Sequence, residues 1–216
     1  LVITPLDGVA VVTANDAGYT YDGTAKGGNG ATAEGLLEGH RLEEVEVSGS
    51  QTDAGTYPNE LVPSNAKIVD EAGNDVTGNY ANISYVRGTL TINKKAVAIA
   101  GNTDTKAYNG SEQSVSGDIP EGLEAPEATV VLKEGKEAVA KGTEASSDKY
   151  MMGLTKDDFV IMEGDKDATS NYEITYTDGS LVITPLDGVA VVTANDATYT
   201  YDGTAKGGNG ATAEGL

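Results

Sequence analysis

The chain has 216 residues and a formal net charge of −20, and it contains no cysteine. The acidic balance excludes the clustered lysine and arginine surface with which proteins neutralise nucleic-acid phosphates, and it disfavours docking on anionic membranes. The lack of cysteine excludes a disulfide framework and a cysteine-ligated zinc site. No apolar run approaches the length of a membrane span, so we expect neither membrane insertion nor a nucleic-acid partner.

The start of the chain recurs near its end. Residues 1–36 and 181–216 are identical except for Gly18, which is replaced by Thr198. The offset is 181 − 1 = 180 residues, and so close a match indicates copied sequence from a longer repetitive array.

A weaker repeat divides this period into two units of about 90 residues. A Tyr-(Asp/Asn)-Gly triplet occurs three times, and the glycine of a Glu-Gly-Leu triplet follows each time after twelve residues, at Gly35, Gly122 and Gly215. An Asn-Tyr pair, a β-branched stretch and Gly-x-Leu-x-Ile also recur, at 79–92 and 171–183. We therefore predict four parts: the closing strand of a preceding module (1–5), module 1 (6–94), module 2 (95–186) and the incomplete opening half of a third module of the module 1 type (187–216).

The modules read as short strands in chain order. The segments "GVAVVTAN" (8–15) and "AVAIAGN" (96–102) open them with β-branched residues. In "EVEVSG", Val45 and Val47 alternate with glutamates, a period of two that buries one face of a strand.

The end of module 1 gives the same indication. Ile68 and Val69 precede a stretch rich in Gly, Asn and Asp, which favours a hairpin turn. Leu90 and Ile92 then alternate with threonines in a closing strand. Together these patterns predict an all-β chain.

Two segments break the strand pattern. Residues 36–44, "LLEGHRLEE", suit a short helical turn, and residues 136–150 read as an irregular insertion. The first-choice fold is a tandem of end-to-end β-sandwich-like modules of immunoglobulin type, which form a rod. The alternative is a series of β-grasp-like modules with one short helix near 36–44.

The Tyr-(Asp/Asn)-Gly triplet predicts a turn. Glycine carries no penalty at positive φ, and Asp or Asn hydrogen-bonds the local backbone, so both suit the turn. The preceding tyrosine ring can cover the end of a thin core. We assign a structural role to nine residues: Tyr21, Asp22, Gly23, Tyr108, Asn109, Gly110, Tyr201, Asp202 and Gly203.

The frame "YDGT…EGL…SGSQTDAGTYPN…NDVTGNY…GTLTI" resembles the MBG/YDG-type repeats of bacterial, Gram-positive-like cell-surface adhesins. The resemblance covers residues 6–94 and 187–216 fully and is weaker over 95–186, where "DAGTYPN" (53–59) has no clear counterpart. It implies an extracellular β-rich stalk module, on a cell-wall-anchored or secreted protein. It implies neither cofactor nor catalytic residues.

The residues themselves give no catalytic arrangement. A Ser-His-Asp triad would have to use His40, the single histidine, which lies in a stretch without a counterpart in module 2. The aligned segments 70–77 and 162–169 offer four candidate calcium ligands, Glu71, Asp75, Glu163 and Asp167, but a polar hairpin turn explains the same residues. We expect no enzyme activity and no cofactor, with calcium as the one ligand to test.

Two functions are compatible with these sequence features. The first is a structural stalk segment that projects a distal domain from a bacterial surface, with neighbouring repeats or another copy completing the strands at both ends. The alternative is a repeat that itself binds a host glycan or protein, for which Tyr19, Tyr21 and Tyr57, with Tyr108 and Tyr150 in module 2, are the candidate aromatic residues.

Overall fold

The computed structural model describes residues 2, 4, 6–121 and 128–215. Leu1, Ile3 and Pro5 of the predicted closing strand, and Gly122 of the middle Glu-Gly-Leu triplet, lie outside the described residues. The described chain is all-β, as the sequence predicts. Its helical residues are confined to three 3-10 turns, Thr77–Asn79, Lys156–Asp158 and Thr169–Asn171.

Nine strands form within residues 6–94. They are β1 (Leu6–Ala14), β2 (Ala17–Thr20), β3 (Lys26–Gly27), β4 (Ala31–Glu34), β5 (Arg41–Ser48), β6 (Ser50–Gln51), β7 (Gly55–Val69), β8 (Tyr80–Val86) and β9 (Gly88–Asn93). One sheet has the order β4-β1-β8, a second has the order β2-β9-β7-β5, and β3 pairs with β6. The first and last segments of the module run side by side, because β1 is parallel to β8 and β2 is parallel to β9.

Eleven strands form within residues 95–186. They are β10 (Lys95–Gly101), β11 (Thr103–Ala107), β12 (Gln113–Ser116), β13 (Asp118–Glu121), β14 (Ala128–Leu132), β15 (Val139–Gly142), β16 (Tyr150–Met151), β17 (Phe159–Glu163), β18 (Lys166–Asp167), β19 (Tyr172–Thr177) and β20 (Ser180–Thr184). The parallel pairing recurs, since β10 lies beside β19 and β11 lies beside β20. Residues 6–94 and 95–186 therefore share one strand plan.

The alternating residues form the core, as predicted. Leu90 and Ile92 in β9, and their counterparts Leu181 and Ile183 in β20, are all buried. A cluster of Ala10, Ile68 and Tyr80 joins β1, β7 and β8, and smaller apolar side chains pack against it. Each module thus buries the apolar face that the period of two indicates.

The chain divides into two compact units. The first contains the described residues of Leu1–Ala100, Asp118–Glu137 and Leu154–Thr177, and the second contains those of Gly101–Gly117, Ala138–Gly153 and Asp178–Leu216. The first unit thus includes residues of both modules, while the boundary at 94/95 remains a prediction.

The helical turn expected at 36–44 is wrong, and with it the short helix of the alternative fold. A turn precedes His40, whose N–H bonds the carbonyl oxygen of Leu37, and β5 begins at Arg41. The alternation of Leu42, Val45 and Val47 continues into this segment, so the strand begins earlier than the local helix preference suggested.

The irregular insertion expected at 136–150 is also wrong in part, because β15 and the first residue of β16 lie within it. Tyr150 pairs with Leu181 across β16 and β20, as Tyr57 pairs with Leu90 across β7 and β9. Module 2 therefore does have a structural counterpart of the tyrosine in "DAGTYPN".

Residues 187–216 form one pair of strands, β21 (Val191–Ala194) and β22 (Ala211–Glu214). Their antiparallel register, Val191 to Glu214, repeats that of Val11 to Glu34 in β1 and β4. In module 1 the other edge of β1 carries β8, whereas among the described residues β21 pairs with β22 alone.

Candidate functional site: a tyrosine–carboxylate joint

The three Tyr-(Asp/Asn)-Gly triplets form the same turn. Their glycines, Gly23, Gly110 and Gly203, have φ of 79°, 75° and 81°, a conformation that favours glycine. A side-chain oxygen of the middle residue accepts a hydrogen bond from the N–H two residues later, at 2.9 Å for Asp22, 2.9 Å for Asn109 and 3.0 Å for Asp202. Asp and Asn interchange here because the turn needs only an acceptor oxygen.

The first tyrosine of these triplets occupies a distinct environment. The backbone N–H of Tyr21 bonds the carbonyl oxygen of Asn93 at the end of β9, which fixes the tyrosine at the end of module 1. Its side chain is only 3% exposed. Tyr201, in an otherwise identical sequence, is 93% exposed, so the burial of Tyr21 comes from its surroundings and not from its own segment.

Those surroundings are supplied by module 2. The Tyr21 hydroxyl donates to Glu163 Oε2 at 2.8 Å, and the Tyr172 hydroxyl donates to Glu163 Oε1 at 2.7 Å. The two tyrosine rings meet edge to face, with centroids 5.5 Å apart. One carboxylate at the end of β17 thus binds one tyrosine from each module, and charge-assisted hydrogen bonds of this kind are stronger than neutral ones.

A second contact lies beside the first. Asn171 is 1% exposed, and its Oδ1 accepts the N–H of Ala54 at 2.8 Å while its Nδ2 donates to Asp53 Oδ1 at 2.9 Å. Lys166 Nζ lies 3.5 Å from the same Asp53 oxygen, but both side chains are well exposed, so this pair contributes little. We call these seven residues the joint: Tyr21, Asp53, Ala54, Glu163, Lys166, Asn171 and Tyr172.

The electrostatics of the joint follow from burial and charge. Burial, followed by the hydrogen bond to Glu163 and its negative charge, raises the pKa of Tyr21 from 10.0 to about 12. The same causes raise the pKa of Tyr172 well above its ordinary range. The hydrogen bond from Asn171 lowers the pKa of the Asp53 carboxyl. The joint therefore favours neutral tyrosines against ionised carboxylates at neutral pH.

The candidate calcium ligands are placed differently from one another. Glu163 belongs to the joint, whereas Asp75 and Asp167 each accept the N–H of a threonine two residues later at 2.9 Å. Glu71 is exposed beside Gly39. Among the described residues, no group of three or more His, Cys, Asp or Glu side chains is arranged to hold a metal ion.

The other candidate tyrosines serve their own modules. The hydroxyls of Tyr19, Tyr57 and Tyr150 donate to backbone carbonyl oxygens of Gly27, Asp53 and Glu144 at 2.8–2.9 Å, and all three side chains are half-buried. Tyr108 packs against the core of the second unit. His40 Nδ1 lies 2.8 Å from the Tyr80 hydroxyl.

A cleft of about 680 Å³ lies in the first unit. Three exposed lysines line it, Lys94, Lys133 and Lys156, together with the acidic side chains of Asp157 and Glu173. Tyr172 of the joint also contributes to its wall. Three cations around one concavity are notable in a chain with only 14 basic side chains against 34 acidic ones.

Comparison with known proteins gives no assignment. No protein-family model matches the sequence, and no curated protein sequence matches it significantly. None of the helical segments in the described part of the chain has the length and apolar character that a membrane crossing requires.

The sequence pattern identifies Tyr21 and Glu163 separately but not their contact. It does not reveal Asn171, Tyr172 and Asp53 as partners. The signal for them was present in the Asn-Tyr pair, which recurs at 79–80 and 171–172 at the start of a predicted strand. An asparagine that recurs before a buried tyrosine indicates a structural contact at that position.

The raised pKa of Tyr21 predicts a late alkaline titration. The difference in phenolate absorbance between the native chain and Tyr21→Phe should titrate with a midpoint near 12 and not near 10.0. Because the folded-state pKa is the higher one, the stability that this proton contributes is complete below pH 10.0 and is lost as pH rises through about 12. Glu163→Gln should lower the midpoint, and a midpoint at the ordinary value in the native chain would contradict the joint.

Proposed function

We propose that this chain is a structural segment of a repetitive bacterial surface adhesin or surface fibre, whose modules act as a stalk that projects a distal domain. The observation that supports the proposal most is the joint. Its contacts connect residues of module 1 with residues of module 2 through side chains, and a spacer needs such connections to resist bending. The acidic, cysteine-free composition is compatible with this role but does not distinguish it.

The finer features of the proposal rest on the sequence. The 180-residue copy indicates an array, in which reach depends on the number of units and stability depends on each unit and its neighbour contact. The resemblance to MBG/YDG-type repeats favours an extracellular location on a bacterial cell surface, with cell-wall anchoring or secretion. We propose immunoglobulin-type sandwich modules arranged end to end as a rod.

The linkers favour a stiff arrangement. A single residue, Lys94, separates β9 from β10 at the predicted boundary between modules 1 and 2. Pro185 follows β20 directly, and proline fixes its own φ and restricts the residue before it. Short connections of this kind leave neighbouring modules little freedom to reorient.

Small-angle X-ray scattering of the full chain tests the proposal. A compact globule of 216 residues has a radius of gyration of about 17 Å, so the proposed rod should give a clearly larger value. The profile should be unchanged by millimolar calcium. Asn171→Ala, which removes one half of the joint, should broaden the distance distribution without unfolding the strands.

A compact particle would argue against a stalk. A particle that extends only when calcium is added would replace a passive spacer with a calcium-dependent one. Thr204→Ala, in the exposed turn of residues 199–216, is the matched control and should leave the profile as in the native chain.

Ligand binding by the repeat itself is the second candidate, and the lysine-lined cleft is the observation that favours it. Its three cations suit an anionic glycan or an acidic protein segment. If this is the function, the chain should bind a sulfated polysaccharide such as heparin, and the double variant Lys133→Gln/Lys156→Gln should bind it at least about tenfold more weakly. Equal binding by the variant, or none by the native chain, would exclude this role for the cleft.

A further inference from the structure

Module 1 carries the same side chains as the part of module 2 that receives Tyr21. Residues 71, 79 and 80 correspond to residues 163, 171 and 172, so Glu71, Asn79 and Tyr80 stand where Glu163, Asn171 and Tyr172 stand. The local backbone is the same, because a 3-10 turn, Thr77–Asn79 or Thr169–Asn171, leads into β8 or β19 in both modules. We name each of these three-residue sets the acceptor face of its module.

The two acceptor faces differ in what they bind. In module 2, Glu163 binds two tyrosine hydroxyls and Asn171 binds the backbone of Ala54 and the side chain of Asp53. In module 1, the side chains of Glu71 and Asn79 are exposed and make no hydrogen bond to a described residue. Tyr80 bonds within its own module, to the N–H of Leu37 and to His40. The acceptor face of module 1 therefore has its donors and acceptors in place without an occupant.

The loop tyrosine of module 2 is the complementary group. Tyr108 corresponds to Tyr21, and its N–H bonds the end of β20 at 2.8 Å as that of Tyr21 bonds the end of β9 at 2.9 Å. Its ring packs on the core, but its hydroxyl has no hydrogen-bond partner among the described residues. In the equivalent position the Tyr21 hydroxyl binds Glu163.

The order of the modules pairs these two groups. The sequence of module 1 resumes at residue 181, so a module of the module 1 type follows module 2. We propose that the acceptor face of module 1 binds the Tyr108 end of a preceding module of the module 2 type, with the Tyr108 hydroxyl donating to the Glu71 carboxylate. This inference rests on the proposed array and adds to it a second joint, which alternates with the one that contains Tyr21.

The two joints differ in chemistry. In the Tyr21 joint, Glu163 is shared between two hydroxyls, one from each module. In the proposed joint, His40 and the N–H of Leu37 already engage Tyr80, so Glu71 is left for the incoming tyrosine alone. An alternation of this kind favours head-to-tail order, because each end of a module matches one end of the other type.

Intermolecular paramagnetic relaxation enhancement tests the proposal with the full chain. The chain has no cysteine, so a nitroxide on Ser111→Cys is a unique label, three residues from Tyr108. Neighbouring modules in one chain meet at effective concentrations of order millimolar, so separate copies need associate only weakly. Labelled chains mixed with isotope-labelled chains at about millimolar concentration should broaden the amide signals of Glu71, Asn79 and Tyr80.

Two variants make the test specific. Tyr108→Phe in the labelled chain keeps the ring in the core and removes the hydroxyl, and it should weaken the association about tenfold. Glu71→Lys in the detected chain should abolish the broadening, while Glu173→Lys, the same change at another exposed glutamate, should not. Absent broadening, uniform broadening, or broadening that survives both Tyr108→Phe and Glu71→Lys would overturn the proposal.

The outcome is separable from that of the scattering experiment. Extended particles without specific broadening would leave the stalk standing and remove the second joint. Compact particles with specific broadening would remove the rod and leave the pairing of the two faces.

Discussion

Glu163 is the constraint on which the connection between the modules depends. A carboxylate offers two oxygens, and here each accepts one tyrosine hydroxyl, from Tyr21 and from Tyr172. Because the rings lie edge to face beside it, the carboxylate is held between two large apolar bodies. It stays satisfied only while both tyrosines are in position, and a charge left without partners in such a site is costly. The side chain thus makes the position of module 1 dependent on module 2.

The same segment of sequence behaves differently in two contexts. Residues 19–36 and 199–216 are identical, and their turns and strand registers agree, yet Tyr21 is buried and Tyr201 is almost fully exposed. The turn is therefore a local property, fixed by Asp22 or Asp202 and the following glycine. The burial is a tertiary property, which the rest of module 1 and the acceptor face of module 2 provide.

The sequence predicts what depends on neighbouring residues and fails where the chain must meet itself at a distance. The alternation of Leu90 and Ile92 predicts β9 correctly, whereas 36–44 becomes a turn and the start of β5 because pairing with β7 outweighs local preference. Tyr150 is not evident as the counterpart of Tyr57 because the two lie 93 residues apart (150 − 57), while Leu90 and Leu181 lie 91 apart (181 − 90). The joint could not be predicted, since Tyr21 and Glu163 are separated by 142 residues and either one resembles an ordinary surface side chain.

A double-mutant cycle between Tyr21 and Glu163 tests the central claim most directly. Tyr21→Phe, Glu163→Ala and the double variant would be compared by denaturant unfolding, and groups in one hydrogen-bond network should show a coupling of about 1 kcal/mol or more. The matched control is Tyr201→Phe in place of Tyr21→Phe, in the same sequence context but exposed, for which we expect a coupling near zero. A coupling near zero for Tyr21 as well would show that the contact with Glu163 does not hold the modules together.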